Sequence, residues 1–410
     1  MKTMYLMLLL PLLIISCAKE KATQINNNQL KPITLNTEQQ ALVQANNQFS
    51  FSLFSNSANQ ETKENLIISP FSVSMALSMT LNGAAGTTKT GMEKTLGFEG
   101  KQAASINDYN KLLSTQLQGI DEKVTFNVAN SIWYRNNFTV IPSFISTNQN
   151  YYQAEVTSLD FASLSAVNTI NNWVNTKTNS AIPKIIESIS PDNVMFLINA
   201  LYFKGSWRNK FDGTKTSDQS FYKEDLSVVK CKMMSQESTY RCLSNDLVSA
   251  IEMPYGQGNF VMTVLLPQTG KTTSDLTAAF NAANWKKWND GMVSNKIQVY
   301  LPRFKINYEN KLNSLLSTMG MADAFNPAVA DFTRINAGGG LSISEVKHKT
   351  MVEVNEEGTV AAAVTSVAIV LNSFPQTQII NINKPFLFVI SEKSTGAILF
   401  TGRIMDPTKE

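Results

Sequence analysis

The chain has 410 residues, 43% of them hydrophobic and 16% charged, enough for a well-buried core in one large domain or two. Its 35 basic and 32 acidic residues leave a net charge of +3, and with no dense Lys/Arg cluster there is no footprint for nucleic acid. Past the first seventeen residues, one histidine and two cysteines, with no CxxC spacing, fall short of the four closely spaced ligands that a structural zinc site needs.

The first stretch, "MKTMYLMLLLPLLIISCAKE", reads as processing sequence. Lys2 supplies a short positive start, and the apolar run over residues 4–15, broken by Pro11, is too short to span a membrane comfortably. Its end, "IISC", resembles a bacterial lipoprotein signal in which Cys17 is lipidated and becomes the new N-terminus. The alternative is an ordinary secretory signal with Cys17 incidental. Residues 1–16 are then signal, 17–40 a polar tether, and 41–408 the folded body. That body is expected outside the cytoplasm, lipid-anchored at a bacterial cell envelope on its periplasmic or outer face, or released to the extracellular space.

Within the body, residues 37–60 have helical periodicity, with Phe49, Phe51 and Phe54 as packing residues. "NLIISPFSVSMALSMTLNG" starts as a strand, breaks at Pro70 and continues as an apolar helix to about Asn82. "VTFNVANSIWYRN" alternates as a strand, and "LSAVNTINNWVNTKTNSAI" is helical. "NVMFLINALYFKGSW" is too continuously apolar for an edge strand and is predicted to be central. Strands dominate after residue 215: "VVKCKMM", "LVSAIEMPY", "FVMTVLLP" and "KIQVYLPRFKI". "YENKLNSLLSTMG" returns to helix and stops at Gly320, and "PFLFVISEKSTGAILFTGRI" closes the chain as a strand pair. The order predicts one mixed α+β domain without regular βα alternation.

Chemistry motifs are absent: no GxGxxG follows a strand, and there is no GxxxxGK[ST] and no G-x-S-x-G elbow. No cofactor or metal is implied. His348 lies in a strand-like stretch; as a general base it would need a nucleophile and an orienting group, and Ser69, Ser72 and Asn199 are open as neighbours. A hydrogen-bonded core histidine is the alternative. Asp331, Glu356 and Glu357 read as solvated carboxylates. Cys231 and Cys242 could pair if they lay on adjacent strands, or stand as two separately buried thiols. One late stretch, "EVNEEGTVAAAVTSVAIVLNSFPQTQIINI", carries a long uncharged, strand-prone run able to serve as loop or strand.

The ordered stretches "NLIISPFSVSMALSMTLNGAAGTT", "NSIWYRNNFTV", "NALYFKGSW", "LPRFKI", "ADFTRI", "VKHKTMVEVNEEGTVAAA", "NKPFLFVI" and "ILFTGRIMDP" resemble the serpins from about residue 45 to Pro407. The resemblance implies three β-sheets, about eight or nine helices and an exposed reactive loop over about residues 356–378. It also implies a suicide-substrate mechanism and a chain that is no enzyme: a target protease acylates itself on the loop, which then inserts into the central sheet as a new strand. The partners are target proteases in covalent acyl complexes, and the chain is expected to be a monomer.

On that resemblance Glu356, Glu357 and Gly358 begin the hinge, and Thr359 is its first inward-facing residue. Ala361, Ala362 and Ala363 are small enough to slide between neighbouring strands. Val360 and Val364 depart from the usual pattern but fall on the outward face. Ser69, Ser72, Asn199 and His348 match a buried polar cluster beneath the central sheet, and Trp207, near Lys204, matches the place where insertion begins. Counting seventeen residues from Glu356 puts the scissile bond at Asn372–Ser373, with Leu371–Asn372 as the alternative. No Arg or Lys occurs between residues 360 and 382, which disfavours trypsin-like targets. Elastase-like or chymotrypsin-like serine proteases are favoured, with subtilisin-like and cysteine proteases behind them. The competing reading is a non-inhibitory serpin serving as a binding or scaffold protein.

Overall fold

The computed structural model describes residues 30–61, 65–359 and 377–409. Cys17, the hinge residues Ala361, Ala362 and Ala363, and the candidate bonds at Leu371, Asn372 and Ser373 lie outside them.

The first half is mostly helical. α1 (Thr37–Gln60) starts at a capping box in which the Asn36 side chain accepts from the Gln39 N–H and the Gln39 side chain answers to Asn36. α2 (Pro70–Leu81) starts at Ser69, whose hydroxyl accepts from the Ser72 N–H, with Pro70 in the first helical position where no N–H is needed. It is buried on nearly every side, as its all-round apolar sequence requires. α3 (Gly86–Leu96), α4 (Ala103–Leu117), α5 (Pro142–Tyr152) and α6 (Leu164–Lys177) follow, and α7 (Thr273–Ala279) and α8 (Ala282–Gly291) sit between later strands. α9 (Asn313–Leu316) and α10 (Ala322–Phe325) are two short pieces joined through a turn kinked at Gly320. The helix expected from Tyr308 to Gly320 is therefore corrected at both ends. Tyr308 to Lys311 stay in a strand, and Gly320, with φ of 123°, bends the helix without ending it.

The strands are β1 (Leu66–Ile68), β2 (Val124–Arg135), β3 (Glu155–Leu159), β4 (Met195–Ser206), β5 (Ser217–Tyr222), β6 (Val228–Ser244), β7 (Val248–Pro254) and β8 (Phe260–Pro267). They continue with β9 (Val293–Pro302), β10 (Phe304–Lys311), β11 (Lys347–Val354), β12 (Gly358–Thr359), β13 (Gln378–Asn381), β14 (Phe386–Glu392) and β15 (Ile398–Ile404). They form three sheets. The largest runs β1-β15-β14-β8-β7-β6-β9-β13 with β5 added on β6, the second β12-β4-β2-β3, and the third is the pair β10-β11. The main core fills the space between the sheets and α1 and α2; a smaller one packs α6 against Trp133 of β2 and Ile198 and Ala200 of β4.

Two expectations change. The body is packed before residue 41: Ile33 is buried, and Lys31 and Asn259 exchange hydrogen bonds. Cys231 and Cys242 are buried free thiols on one strand, β6, eleven residues and about 36 Å apart at ~3.3 Å per residue. A disulfide between them is geometrically excluded. The apolar β4 lies inside its sheet, between β2 and β12, as its sequence predicts. It pairs with β2 along one edge, and among the described residues Gly205 and Ser206 have rungs with β12 on the other.

Gly402 of β15 stands opposite Phe388 of β14, and a Cβ there would lie 2.2 Å from the Phe388 ring. Both residues are buried, so the ring has nowhere to retreat. Gly402→Ala is expected to destabilise the fold by about 2 kcal/mol through overpacking. A urea midpoint equal to wild type would contradict this packing.

Candidate functional site: a reverse turn beside β4

β11 ends at Val354, and the chain reverses at once. The Asn355 N–H donates to the Gly358 carbonyl at 2.9 Å, and the Gly358 N–H returns a bond to Asn355 O at 3.2 Å. Gly358 has φ of 143°, and a Cβ on it would come within 2.0 Å of the Gly205 carbonyl oxygen. Only glycine fits. β12 then faces β4, Gly358 opposite Ser206 and Thr359 opposite Gly205.

Two carboxylates hold the turn. Glu356 accepts from Arg303 Nε–H at 2.6 Å and from the Thr216 hydroxyl at 2.5 Å. Partial burial pushes its carboxyl upward, but the bonds from Arg303 and Thr216 outweigh that and hold it below the usual carboxylate range. The expectation of a solvated Glu356 is thus corrected, because its cation arrives from the β9–β10 junction, remote in sequence. Glu357 forms an ion pair with Lys210 at 2.5 Å. The main chain is pinned too: the Phe211 N–H donates to Glu356 O, and the Trp207 N–H to Glu357 O at 2.7 Å.

Trp207 carries the turn on an aromatic stack. Its Nε1–H donates to Asn355 O at 2.9 Å, and its ring lies on Tyr255 with centroids 4.4 Å apart and planes 9° from parallel. The Tyr255 hydroxyl reaches Thr359 Oγ1 at 3.0 Å, and Thr359 is only 2% exposed. Gly205 makes room, since a Cβ there would lie 2.9 Å from the Tyr255 ring. Sequence reasoning missed Tyr255, Arg303 and Thr216. No local pattern marks them, because each meets the turn from a part of the chain remote in sequence.

Further along, Ser69, Ser72, Asn199 and His348 come together through the first turn of α2. The Ser69 N–H donates to His348 Nε2 at 3.1 Å, and the Thr350 hydroxyl lies 2.7 Å from the same nitrogen. Ser72 Oγ–H donates to Asn199 Oδ1 at 2.5 Å, and Asn199 Nδ2–H donates to Asn130 Oδ1 at 2.8 Å. Asn130 in turn donates to the Tyr152 carbonyl, so the chain of bonds runs from β11 under β4 to β2 and α5. Burial pushes the His348 pKa down to about 4, so the imidazole is neutral at pH 7. With Nε2 accepting a backbone N–H, no lone pair is left for a nucleophile's proton. Among the described residues no three His, Cys, Asp or Glu side chains converge as a metal site.

The unfolded chain protonates His348 near pH 6.5, the folded one only near 4, so stability falls as pH drops through that window. The loss is expected to total about 3 kcal/mol. His348→Gln is expected to flatten this part of the stability–pH curve between pH 7 and 4, measured by denaturant unfolding. Parallel curves for the two proteins would refute the assignment.

Comparison with known proteins places this geometry. The family model described as serpin (serine protease inhibitor) matches residues 44–407. The chain is 31% identical to Serpin B11 of Homo sapiens over 390 residues, covering 90% of this chain and all of that protein. It is 32% identical to the leukocyte elastase inhibitor of Xenopus laevis over 373 residues, covering 88% and 97% of the two chains. The crystal structure of the thermophilic serpin tengpin in its native state superposes with a TM-score of 0.83 at 32% identity, covering 92% and 96%. The chain therefore belongs to the serpin family of serine protease inhibitors.

Proposed function

We propose that the chain traps serine proteases by inserting its cleaved loop into the gap between β4 and β11. The observation that carries this reading is the free edge of β4. Below the two rungs at Gly358 and Thr359, residues 195–204 have no partner on that side among the described residues. Unpaired strand edges in an otherwise laddered sheet invite another strand.

Extending the rungs one residue at a time pairs Val360 with Lys204 and continues to Ile369 with Met195. Those ten loop residues carry no charge. Residues directly opposite share a face. Ala361 then stands opposite Phe203 and Ala363 opposite Leu201, small against large. Thr365 falls opposite Asn199, the polar inward position of β4. Counted from the Asn355–Gly358 rung on the other side, the same Thr365 falls opposite His348. The loop's hydroxyl thus lands where the buried polar chain can receive it, and Val364 meets the small Ala200 on the outer face.

The target is an elastase-like or chymotrypsin-like protease. Support comes from the cation-free loop and from the name of the amphibian relative. Asn372–Ser373 is the proposed bait bond, with Leu371–Asn372 beside it. Cys17 is the proposed lipid anchor, which would tether the body to a membrane surface outside the cytoplasm.

Incubation of the chain lacking residues 1–17 with neutrophil elastase, chymotrypsin, trypsin, subtilisin and papain is the test. A denaturation-resistant adduct with elastase or chymotrypsin and none with trypsin is expected, together with a released peptide starting at Asn372 or Ser373. Complete cleavage without adduct would defeat the trap and leave a binding or scaffold role.

Thr365→Arg provides a sharper check. Insertion in this register would bring a cation opposite Asn199 and His348, at a cost of several kcal/mol. The variant is expected to be cleaved at a normal rate while adduct yield falls at least tenfold. An unchanged yield would show that Thr365 does not enter between β4 and β11 in this register.

A further inference from the structure

β13 (Gln378–Asn381) ends the order of the largest sheet, and among the described residues it pairs only with β9, in parallel. Its two isoleucines face opposite ways. Ile380 stands opposite Val299 and is buried, whereas Ile379 stands opposite Gln298 on the outer face and is 63% exposed. A lone exposed isoleucine needs no partner. What distinguishes this one is its setting at the foot of the loop. The Thr377 hydroxyl donates to Glu237 Oε2 at 3.1 Å, and Lys296 forms an ion pair with the other oxygen of that carboxylate at 2.7 Å. Glu237 faces Gln298 across the β6–β9 ladder, so Ile379, Gln298 and Glu237 form one row over three strands. Tyr300, half-buried, stands two residues along β9 on the same face. The patch is thus uncharged in its middle, with an ion pair at its margin, which is the composition of a protein–protein contact.

Chain length bounds how far this patch lies from the proposed bait bond. From Ser373 to Ile379 is six residues, at most about 21 Å even when fully extended. A folded domain of about 200 residues has a radius of gyration of about 16 Å, so a protease seated on that bond reaches the patch. Protease–inhibitor interfaces take about 20–30 residues from each side. An extended segment threaded through a cleft supplies only part of them, and the surface next to its foot is placed to supply more.

We propose that Ile379 and the face around it are a docking contact for the target protease, meeting an apolar patch beside the part of its cleft that receives the residues after the cut bond. The partner is the elastase-like or chymotrypsin-like protease already proposed, so the contact rests on that target reading. It does not depend on strand insertion, because docking precedes cleavage. A contact outside the cleft strengthens the encounter without touching the chemistry. It therefore acts on the rate at low concentration and not on the partition between adduct and cleaved chain.

The chain, its Ile379→Ser variant and its Leu164→Ser variant are each mixed with chymotrypsin and with elastase at limiting concentration. Leu164 is the control, an apolar side chain still more exposed at the start of α6, on the other sheet. Loss of intact chain on a denaturing gel gives the rate, because it counts cleaved and adduct products together, and mass analysis locates the cut. A synthetic peptide of residues 366–383, with and without Ile379→Ser, is cut in parallel. Ile379→Ser is expected to slow the loss of intact chain about tenfold, the value of burying most of one isoleucine. The ratio of adduct to cleaved chain is expected to stay unchanged, Leu164→Ser to react at the wild-type rate, and the two peptides to be cut equally fast. A wild-type rate for Ile379→Ser overturns the docking contact and leaves the target reading standing. A tenfold loss in the peptide also overturns it, because Ile379 would then act inside the cleft. Failure of both proteases to cut the wild-type chain at residues 371–373 overturns the target reading, and the docking contact with it.

Discussion

The structure depends on the short ladder that β12 makes with β4. A strand as apolar as Met195–Ser206 is built for the middle of a sheet, and among the described residues its rungs toward β12 lie at Gly205 and Ser206. The rest of the site holds that ladder in place. The reverse turn at Asn355–Gly358 starts a new strand beside β4. Arg303 and Lys210 tie the carboxylates of Glu356 and Glu357, and the Trp207–Tyr255 stack props the point where the ladder begins. The turn is thus held firmly at the head of the strand it starts.

The polar chain beneath β4 has a complementary part. Buried amides and hydroxyls are costly unless satisfied, and here they are satisfied by one another, from His348 through Ser69 and Ser72 to Asn199 and Asn130. Such a chain has definite geometry and few alternatives, so it fixes where β4 and β11 stand relative to α2. The neutral state of His348 is part of this, because a protonated ring could not accept the Ser69 N–H. A histidine without a catalytic partner thereby acquires a structural task at the seam.

Much of this was legible in the sequence, for reasons that differ by residue. The α1 and α2 boundaries follow from Asn36, Gln39, Ser69 and Pro70, which act locally. The apolar run of β4 points to a central strand, although nothing local says that one of its neighbours is the strand begun by the turn at Gly358. The helices α3, α4, α5, α7 and α8 are not marked by hydropathy alone, because several of their buried positions are polar, among them Thr88, Thr95, Asn107, Asn110, Asn148, Thr273 and Thr277. In sequence Gly320 reads as a stop and not a kink, since a glycine looks the same in either role until tertiary packing chooses. Glu356 was misread because its partner Arg303 lies far off in sequence, and no periodicity connects them. The association of Ser69, Ser72, Asn199 and His348 came only through resemblance to a family, as four isolated residues spread over most of the chain carry no spacing signal.

On the proposed insertion, the reverse turn at Gly358 would set more than a starting point. Because strand residues alternate faces, it would fix the parity of the residues inserted after it. Removing one residue between Gly358 and Thr365 would then exchange the two faces, bringing Val364 opposite Leu201 and Ser366 opposite Asn199 and His348, and moving the threonine to the α6 side. Changes in length would be tolerable only beyond Ile369, where the register with Met195 runs out. The inserted part would have a length frozen by geometry, and the part beyond it would be free to vary, so the residues offered to a protease could change without altering the register of the strand.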